Sequence, residues 1–331
     1  MTVITRFLIE EREMHLDERS PTDLLVVITA RCGSERLNNK MMARINGRPL
    51  IYWILRRYEK IKCRRVLATT TKSEDDALCE VAESLKIPIT RLEDEDDVIG
   101  RIELARQQHA SNAKLIFRAL GDCPFYATPL LDRAADLMLM TSADAFAWML
   151  PPENLPVYGA REFPYSLKAW ERIVSRSEVR EHVDMFFARN RSGFKVLYHE
   201  PPPTDYTRPA TYRLEIDYPE DIDFLRGVAN LTPMATSLVD VIKLLDRHHE
   251  LIKINQHCLE KTGPLVSFSH AERRKWFQQM RGQPVVDWDN RVWKTQSNRS
   301  LPVFCEAGNC LLGYSEEGKL FTLDGHILSG P

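Results

Sequence analysis

The run Leu24 to Ala30, LLVVITA, is strand-length and apolar, with no polar alternation. A run of that kind fits a strand covered on both faces, and such strands belong to parallel sheets layered between helices. The chain then repeats the theme. Pro49 opens a helix at its first turn, where a missing N–H costs nothing, and Leu50, Ile51, Ile54, Leu55 and Tyr58 share one side of it. Further strands are predicted at Val66–Thr70, Pro88–Leu92, Leu115–Leu120, Asp144–Trp148, Phe194–Tyr198 and Thr211–Asp217. Helices are predicted after a Ser73 cap and over Val98–His109, Pro129–Met140, Ser166–Val174, Glu178–Arg189 and Pro219–Val228. Alternation of this kind predicts an α/β fold: a doubly wound, mostly parallel sheet with helices on both faces. Ligands bind such sheets past the carboxyl ends of the strands, so the loops after Ala30, Thr70 and Leu120 carry the most interest.

The pattern divides 331 residues into an N-terminal extension (1–22), a main domain (23–232) and a C-terminal part (233–331). That last part reads as one long helix, Leu238–Leu259, then short β-strands, a small α+β module. A net charge of −2 gives no reason to expect a nucleic-acid partner. No run of eighteen apolar residues suggests a membrane span, and the acidic N-terminus does not read as a signal peptide. Seven scattered cysteines fit reduced thiols of the cytoplasm better than a disulfide framework; the pair Cys305 and Cys310 could bridge or bind metal only in isolation. His248, His249 and His257 lie in or near the long helix; adjacent positions such as His248 and His249 do not share a helix face, so the group does not read as a metal site.

Chemistry concentrates in Ala30–Lys40, ARCGSERLNNK. Gly33 allows close backbone approach, and consecutive N–H groups of such a turn make an anion nest. With Arg31, Ser34, Arg36 and Lys40, the loop suits a triphosphate whose charge must be neutralised as pyrophosphate leaves. A solvated basic loop is the other reading of the same residues. Neither a Walker A sequence nor a G-x-G-x-x-G turn is present. Asp122 and Asp217 each end a predicted strand, where a carboxylate points into the ligand crevice; Mg²⁺ is held by one or two such carboxylates plus substrate phosphates. Each could instead be a turn or cap aspartate. Glu215 and Asp221 are weaker ligand candidates, Asp221 belonging with the first turn of its helix. Thr69, Thr70 and Thr71 could read a base edge or simply be strand residues, and Arg118, set within an apolar strand, calls for an anionic partner.

The motif R-x-G-S-x-R-L-x-x-K after the first strand resembles the signature loop of cytidylyltransferases that activate acidic sugars. It is most like the spore-coat polysaccharide type, with the CMP-sialic acid and CMP-Kdo synthetases more distant. NGRPLIYWILRR, VLATTTKSEDDAL, EDDVIGRIELA, IFRALGDCPFYATPLLD, REHV and YRLEIDYPEDIDFLR resemble further family segments in order, over roughly Leu24 to Asn230. The resemblance implies a nucleotide-diphospho-sugar transferase-like fold and Mg²⁺-dependent transfer of CMP from CTP to a sugar-like, acidic or phosphorylated acceptor, in a cytoplasmic homodimer. It implies catalytic roles for Arg31, Lys40, Asp122 and Asp217, with both aspartates on the metal. It places Ala30, Arg31, Gly33, Ser34, Arg36, Lys40, Thr69–Thr71, Arg101 and Arg118 on the nucleotide, and Arg161, Glu162, Arg180, Glu181 and His182 on the acceptor. Asn38 stands where the family has proline, PVYGARE (Pro156–Glu162) replaces an acidic acceptor segment, and Val179 replaces an aspartate. Such changes suit an acceptor with extra negative charge, met by Arg161 and Arg180. A catalytically inactive nucleotide-binding scaffold acting through the C-terminal module is the alternative of another class; a uridylyltransferase-like enzyme is the alternative within transferases.

Overall fold

The computed structural model describes residues 19–34, 36–148, 157, 159–160, 162–199, 206, 212–262 and 283–286, together with the backbone of five short strands between 292 and 329. In chain order these form β1 (Leu24–Thr29), the hairpin β2 (Arg44–Ile45) and β3 (Arg48–Pro49), α1 (Leu50–Arg57), β4 (Arg64–Thr70), α2 (Asp76–Ser84), β5 (Ile89–Leu92), α3 (Val98–His109), β6 (Leu115–Leu120) and α4 (Thr128–Thr141). Then come β7 (Ala145–Trp148), β8 (Tyr165–Ser166), α5 (Leu167–Arg176), α6 (Val183–Arg189), β9 (Val196–His199), α7 (Pro219–Leu231), α8 (Leu238–Arg247) and α9 (His249–Asn255). The chain closes with β10 (Pro284–Val286), β11 (Val292–Lys294), β12 (Leu301–Phe304), β13 (Leu311–Glu316), β14 (Lys319–Phe321) and β15 (Ile327–Ser329).

Nine strands form one sheet in the order β11-β10-β9-β7-β8-β6-β1-β4-β5. The β1–β4, β1–β6, β4–β5, β7–β9 and β9–β10 pairs are parallel. β8 runs antiparallel to its neighbours β6 and β7, as does β11 to β10. All of β1 is buried, as its apolar run requires. Alternate residues feed two separate cores: Leu24, Val26 and Ile28 meet α1, α2, α4 and α7–α9, whereas Leu25 and Val27 meet α3, α5 and α6. The predicted doubly wound sheet is therefore present, with helices on both faces. β12–β15 form a separate four-stranded antiparallel sheet.

Several local expectations change. Residues 212–217 make no ladder; Ile216 N–H donates to the Asp122 carbonyl (3.0 Å), and the polar side chains of the segment turn to one another instead. The expected long helix is broken at His248 into α8 and α9. α6 starts at Val183 rather than Glu178, because the preceding backbone is engaged elsewhere: the Arg180 carbonyl accepts from Ile99 N–H (3.1 Å). Ser73 does not cap α2, which follows a short 3-10 turn ending at Asp75. β10 and β11, expected within the C-terminal module, extend the main sheet. Arg19, expected in a solvated extension, is 6% exposed, pairs with Asp132 and Asp136 of α4, and donates to the Lys62 carbonyl. Residues 1–18 of that extension, and Cys305 and Cys310, lie outside the described residues. No helix among the described residues is long and apolar enough to cross a membrane.

Candidate active site

A cleft of about 550 Å³ opens at the carboxyl ends of β1 and β6. Its floor is Thr29, Ala30, Leu120 and Gly121; its walls include Arg31, Ser34, Arg36, Lys40, Val98, Arg101, Arg118 and Asp122. This is the crevice that strand polarity predicts. The loop after Thr70 does not line it; Glu95 and Asp96, from the loop after β5, do.

The loop from Ala30 returns on itself through its own backbone. Ser34 N–H and Asn39 N–H both donate to the Cys32 carbonyl, each at 2.9 Å, and Asn39 takes a left-handed φ of 57°. This turn carries Lys40 under the loop, where it is 9% exposed. Its ammonium donates to Asp122 Oδ2 (3.2 Å), Asp217 Oδ1 (3.2 Å) and the Ile216 carbonyl (2.8 Å). Two aspartates 95 residues apart in sequence (217 − 122) thus converge on one cationic point. Gly121 is needed beside them, since a Cβ there would meet the Thr29 carbonyl oxygen at 2.7 Å.

Asp217 is the more enclosed carboxylate. Burial pushes its carboxyl up, but the Lys40 charge, the Arg213 hydrogen bond (2.9 Å) and Arg36 (2.8 Å) hold it below the ordinary range. Arg213, buried, also donates to Asp221 (3.0 and 3.2 Å). Asp221 in turn accepts from the N–H groups of Asp217 (2.8 Å) and Tyr218 (2.9 Å), fixing the entry to α7. Glu215, 3.4 Å from Arg213, stands outside the Lys40 cluster. Asp122 is about a third exposed and faces the cleft.

The opposite wall is cationic. Arg101, which the resemblance placed on the nucleotide, lines the cleft and is 2% exposed; it donates to the Glu95 carbonyl (2.6 Å), and its Nε has no partner among the described residues. Burial first, then the Arg31 and Arg118 charges, lower its pKa. Arg31 pairs with Glu95 (3.2 Å) and Asp96 (3.6 Å), while Arg118 Nε donates weakly to Thr29 Oγ1 (3.4 Å). Three guanidinium groups sharing one pocket, one with a buried orphan N–H, call for an anion.

Other predicted residues stand elsewhere. Thr69 and Thr70 are fully buried and donate their hydroxyls to Asp75 Oδ2 (2.8 and 2.5 Å), and Thr71 is exposed; none lines the cleft. Gly33 is outside the lining too, and its open side faces Glu74 Oε1, where a Cβ would stand 2.7 Å away. Asp75 is the residue that sequence reading missed. Its Oδ1 accepts from Cys32 N–H (2.7 Å) and its Oδ2 also from Thr70 N–H (3.1 Å), so it ties the phosphate-type loop to the end of β4. The signal available was an aspartate three residues before a helical apolar pattern, which reads first as a helix cap.

On the proposed acceptor side, Glu181 lines the cleft, whereas His182 is an exposed residue at the start of α6. The Glu162 carboxylate accepts from Gly159 N–H (3.3 Å) and its carbonyl accepts from Tyr126 Oη. Arg161 lies outside the described residues. Arg180 is committed to structure: it donates to Asp97 (2.8 and 3.4 Å) and to the Val174 carbonyl (2.7 Å), while Asp97 caps α3 through Gly100 N–H (2.7 Å). Arg180→Ala is therefore expected to cost about 1 kcal/mol of stability, the usual worth of a partly exposed pair with a cap behind it, and to leave CTP affinity within twofold. Thermal denaturation and calorimetric titration would check both halves.

Two hard carboxylates that already bracket a cation fit a divalent ion of the Mg²⁺ type. Another mixed group among the described residues, Glu220, His257 and Cys258, has ligand atoms within 4.8 Å of one another. There the donors are a carboxylate, an imidazole and a thiol rather than the oxygen set that Mg²⁺ takes, and the Lys261 ammonium lies 3.2 Å from Glu220 and 3.8 Å from Cys258.

Residues 25–239 match the family model described as "Cytidylyltransferase". An uncharacterized protein of Methanocaldococcus jannaschii is 29% identical over 245 residues, 72% of this chain and 97% of its own length. The spore coat polysaccharide biosynthesis protein SpsF of Bacillus subtilis is 27% identical over 236 residues, covering 68% of this chain and 95% of the relative. Among solved structures, a cytidylyltransferase from Leptospira borgpetersenii superposes with a TM-score of 0.61 at 24% identity, over 70% of this chain and 96% of that one. That likeness shows the shared fold.

Proposed function

Because the chain belongs to the cytidylyltransferase family, whose nucleotidyl transfer draws on CTP, we propose that it moves CMP from CTP onto a sugar-like acidic or phosphorylated acceptor, releasing pyrophosphate. The observation that carries this reading is the Lys40 ammonium set between Asp122 and Asp217 at the mouth of an arginine-lined cleft. Ser34, Arg31 and Arg36 would hold the triphosphate tail, with Arg101 and Arg118 adding positive charge to the same cleft. Asp122 and Asp217 would hold Mg²⁺ with the phosphates. Bound there, such an ion would supply positive charge to the phosphate oxygens. The protein's own residues supply positioning and fixed charge for attack of an acceptor oxygen on the α-phosphorus, with no covalent intermediate required. Similarity to a spore coat polysaccharide protein supports a sugar-like acceptor.

The purified chain with CTP and Mg²⁺ is expected to release pyrophosphate when offered one of 3-deoxy-manno-octulosonate, N-acetylneuraminate, a sugar phosphate or an alkyl phosphonate. CTP is expected to raise the melting temperature more than UTP, ATP or GTP, since only a ligand of the folded state does so. A CTP-induced shift without turnover on any acceptor would favour a nucleotide-binding scaffold. Absence of both would end the reading.

A further inference from the structure

The family match ends at residue 239, yet the support of Asp217 continues beyond it. Asn255, the last residue of α9, is 1% exposed. Its amide donates to Asp221 Oδ1 (2.9 Å) and to the Arg213 carbonyl (3.1 Å). Asp221 grips Arg213 and the Asp217 N–H, and Arg213 donates to Asp217 Oδ2. The chain of contacts therefore runs from α9 to the carboxylate beside Lys40 without a gap. α8 adds a second tie, Tyr212 Oη donating to Asp246 at 2.6 Å. α9 lies close on α7 because Gly227 has no side chain; a Cβ there would meet Leu251 Cδ2 at 2.7 Å.

Residues 212–217 have no strand ladder; Ile216 is bonded to the Asp122 carbonyl and to Lys40, and the side-chain bonds from α8 and α9 hold the flanking Tyr212, Arg213 and Asp221. A buried donor amide at one fixed point decides where Asp221 sits, and Asp221 decides where Arg213 and the Asp217 backbone sit. We propose that Asn255 is a positioning residue for Asp217, so that α8 and α9, largely outside the matched domain, form part of the active site. This rests on the assignment of Asp217 to the metal–triphosphate site.

The test uses the full chain and CTP alone as the probe, its affinity measured by calorimetry without and with saturating Mg²⁺. The native protein is expected to bind CTP more tightly with Mg²⁺. Asn255→Ala should lose about tenfold of that gain, the usual scale for a residue behind a metal ligand, with metal-free CTP affinity within twofold. Asn255→Asp supplies a pH readout. Protonated, the new carboxyl can donate to Asp221; ionised, it opposes Asp221 and Asp217 and competes for Arg213. Its Mg²⁺ gain should be present at low pH and fade as pH rises, a profile absent from the native protein. A residue that merely fills space would lower the melting temperature, leaving the Mg²⁺ gain and its pH profile untouched; that result overturns the proposal. Asp217→Asn serves as the control. If it keeps the full Mg²⁺ gain, the site assignment fails; if it loses the gain while both Asn255 variants keep it, only the positioning role fails.

Discussion

Replacing Lys40 with methionine is expected to lower the turnover of CMP transfer by about 10²- to 10³-fold, the range seen when a preorganised donor to developing charge is removed. The ammonium is nearly buried and donates to both aspartates and to the Ile216 carbonyl, so no neighbour can replace it without moving the loop. Methionine keeps the length and apolar stem but leaves Asp122 and Asp217 facing each other with less positive charge. Arg36 and Arg213 still bind Asp217, so the fold should survive; the expected change is in chemistry more than in melting temperature. Lys40→Arg should recover little, because a planar guanidinium cannot reach three acceptors set around a single point as an ammonium does. Steady-state assays with the acceptor that releases pyrophosphate, alongside melting curves, separate the two effects. Turnover within threefold of the native value in Lys40→Met would refute the placement of this lysine at the reacting phosphates.

Asp75→Ala should have the largest effect on stability, roughly 3–5 kcal/mol, or about 10 °C in melting temperature for a domain of this size. The native carboxylate is fully buried and accepts four hydrogen bonds, from Cys32 N–H, Thr70 N–H and the hydroxyls of Thr69 and Thr70. Alanine leaves those donors buried without a partner, which costs more than the bonds themselves contributed. The loop carrying Arg31 to Lys40 loses its anchor to β4, so CTP affinity should fall as well. Thr70→Val removes one donor and should cost about 1 kcal/mol. The pH dependence has a definite sign. Burial raises the Asp75 carboxyl, but the bonds from Thr70, Cys32 and Thr69 hold it below its ordinary value of 3.8. A group depressed in the folded state stabilises above its unfolded pKa. The contribution of Asp75 should therefore be constant near neutrality and lost as pH falls through 3.8 and below. In Asp75→Ala the acid limb of stability should flatten, as urea denaturation at several pH values would show. A melting temperature within 2 °C of native, set against the expected ~10 °C loss, would mean that the loop is held by something else.

The sheet was legible because its physics is local. Strand-length apolar runs such as LLVVIT need cover on both faces, and helices of matching length supply it. Lys40, Asp122 and Asp217 were legible as candidates because each stands at a strand end or in a cationic turn, where side chains face the crevice. The predicted bounds of 98–109 and 115–120 coincide with those of α3 and β6.

What the sequence could not decide was which partner each polar group takes. Thr69 and Thr70 look like base readers until Asp75, turned away from its helix, claims them. Arg180 looks like an acceptor ligand until Asp97, 83 residues away, meets it. Residues 212–217 alternate like a strand, yet Arg213, Asp217, Asp221 and Asn255 bind one another and the ladder is lost. Apolar burial is non-directional and repeats with the backbone period, so one chain segment announces it. A buried charge or amide needs a particular atom about 3 Å away, and distant segments supply that atom only after the chain has folded.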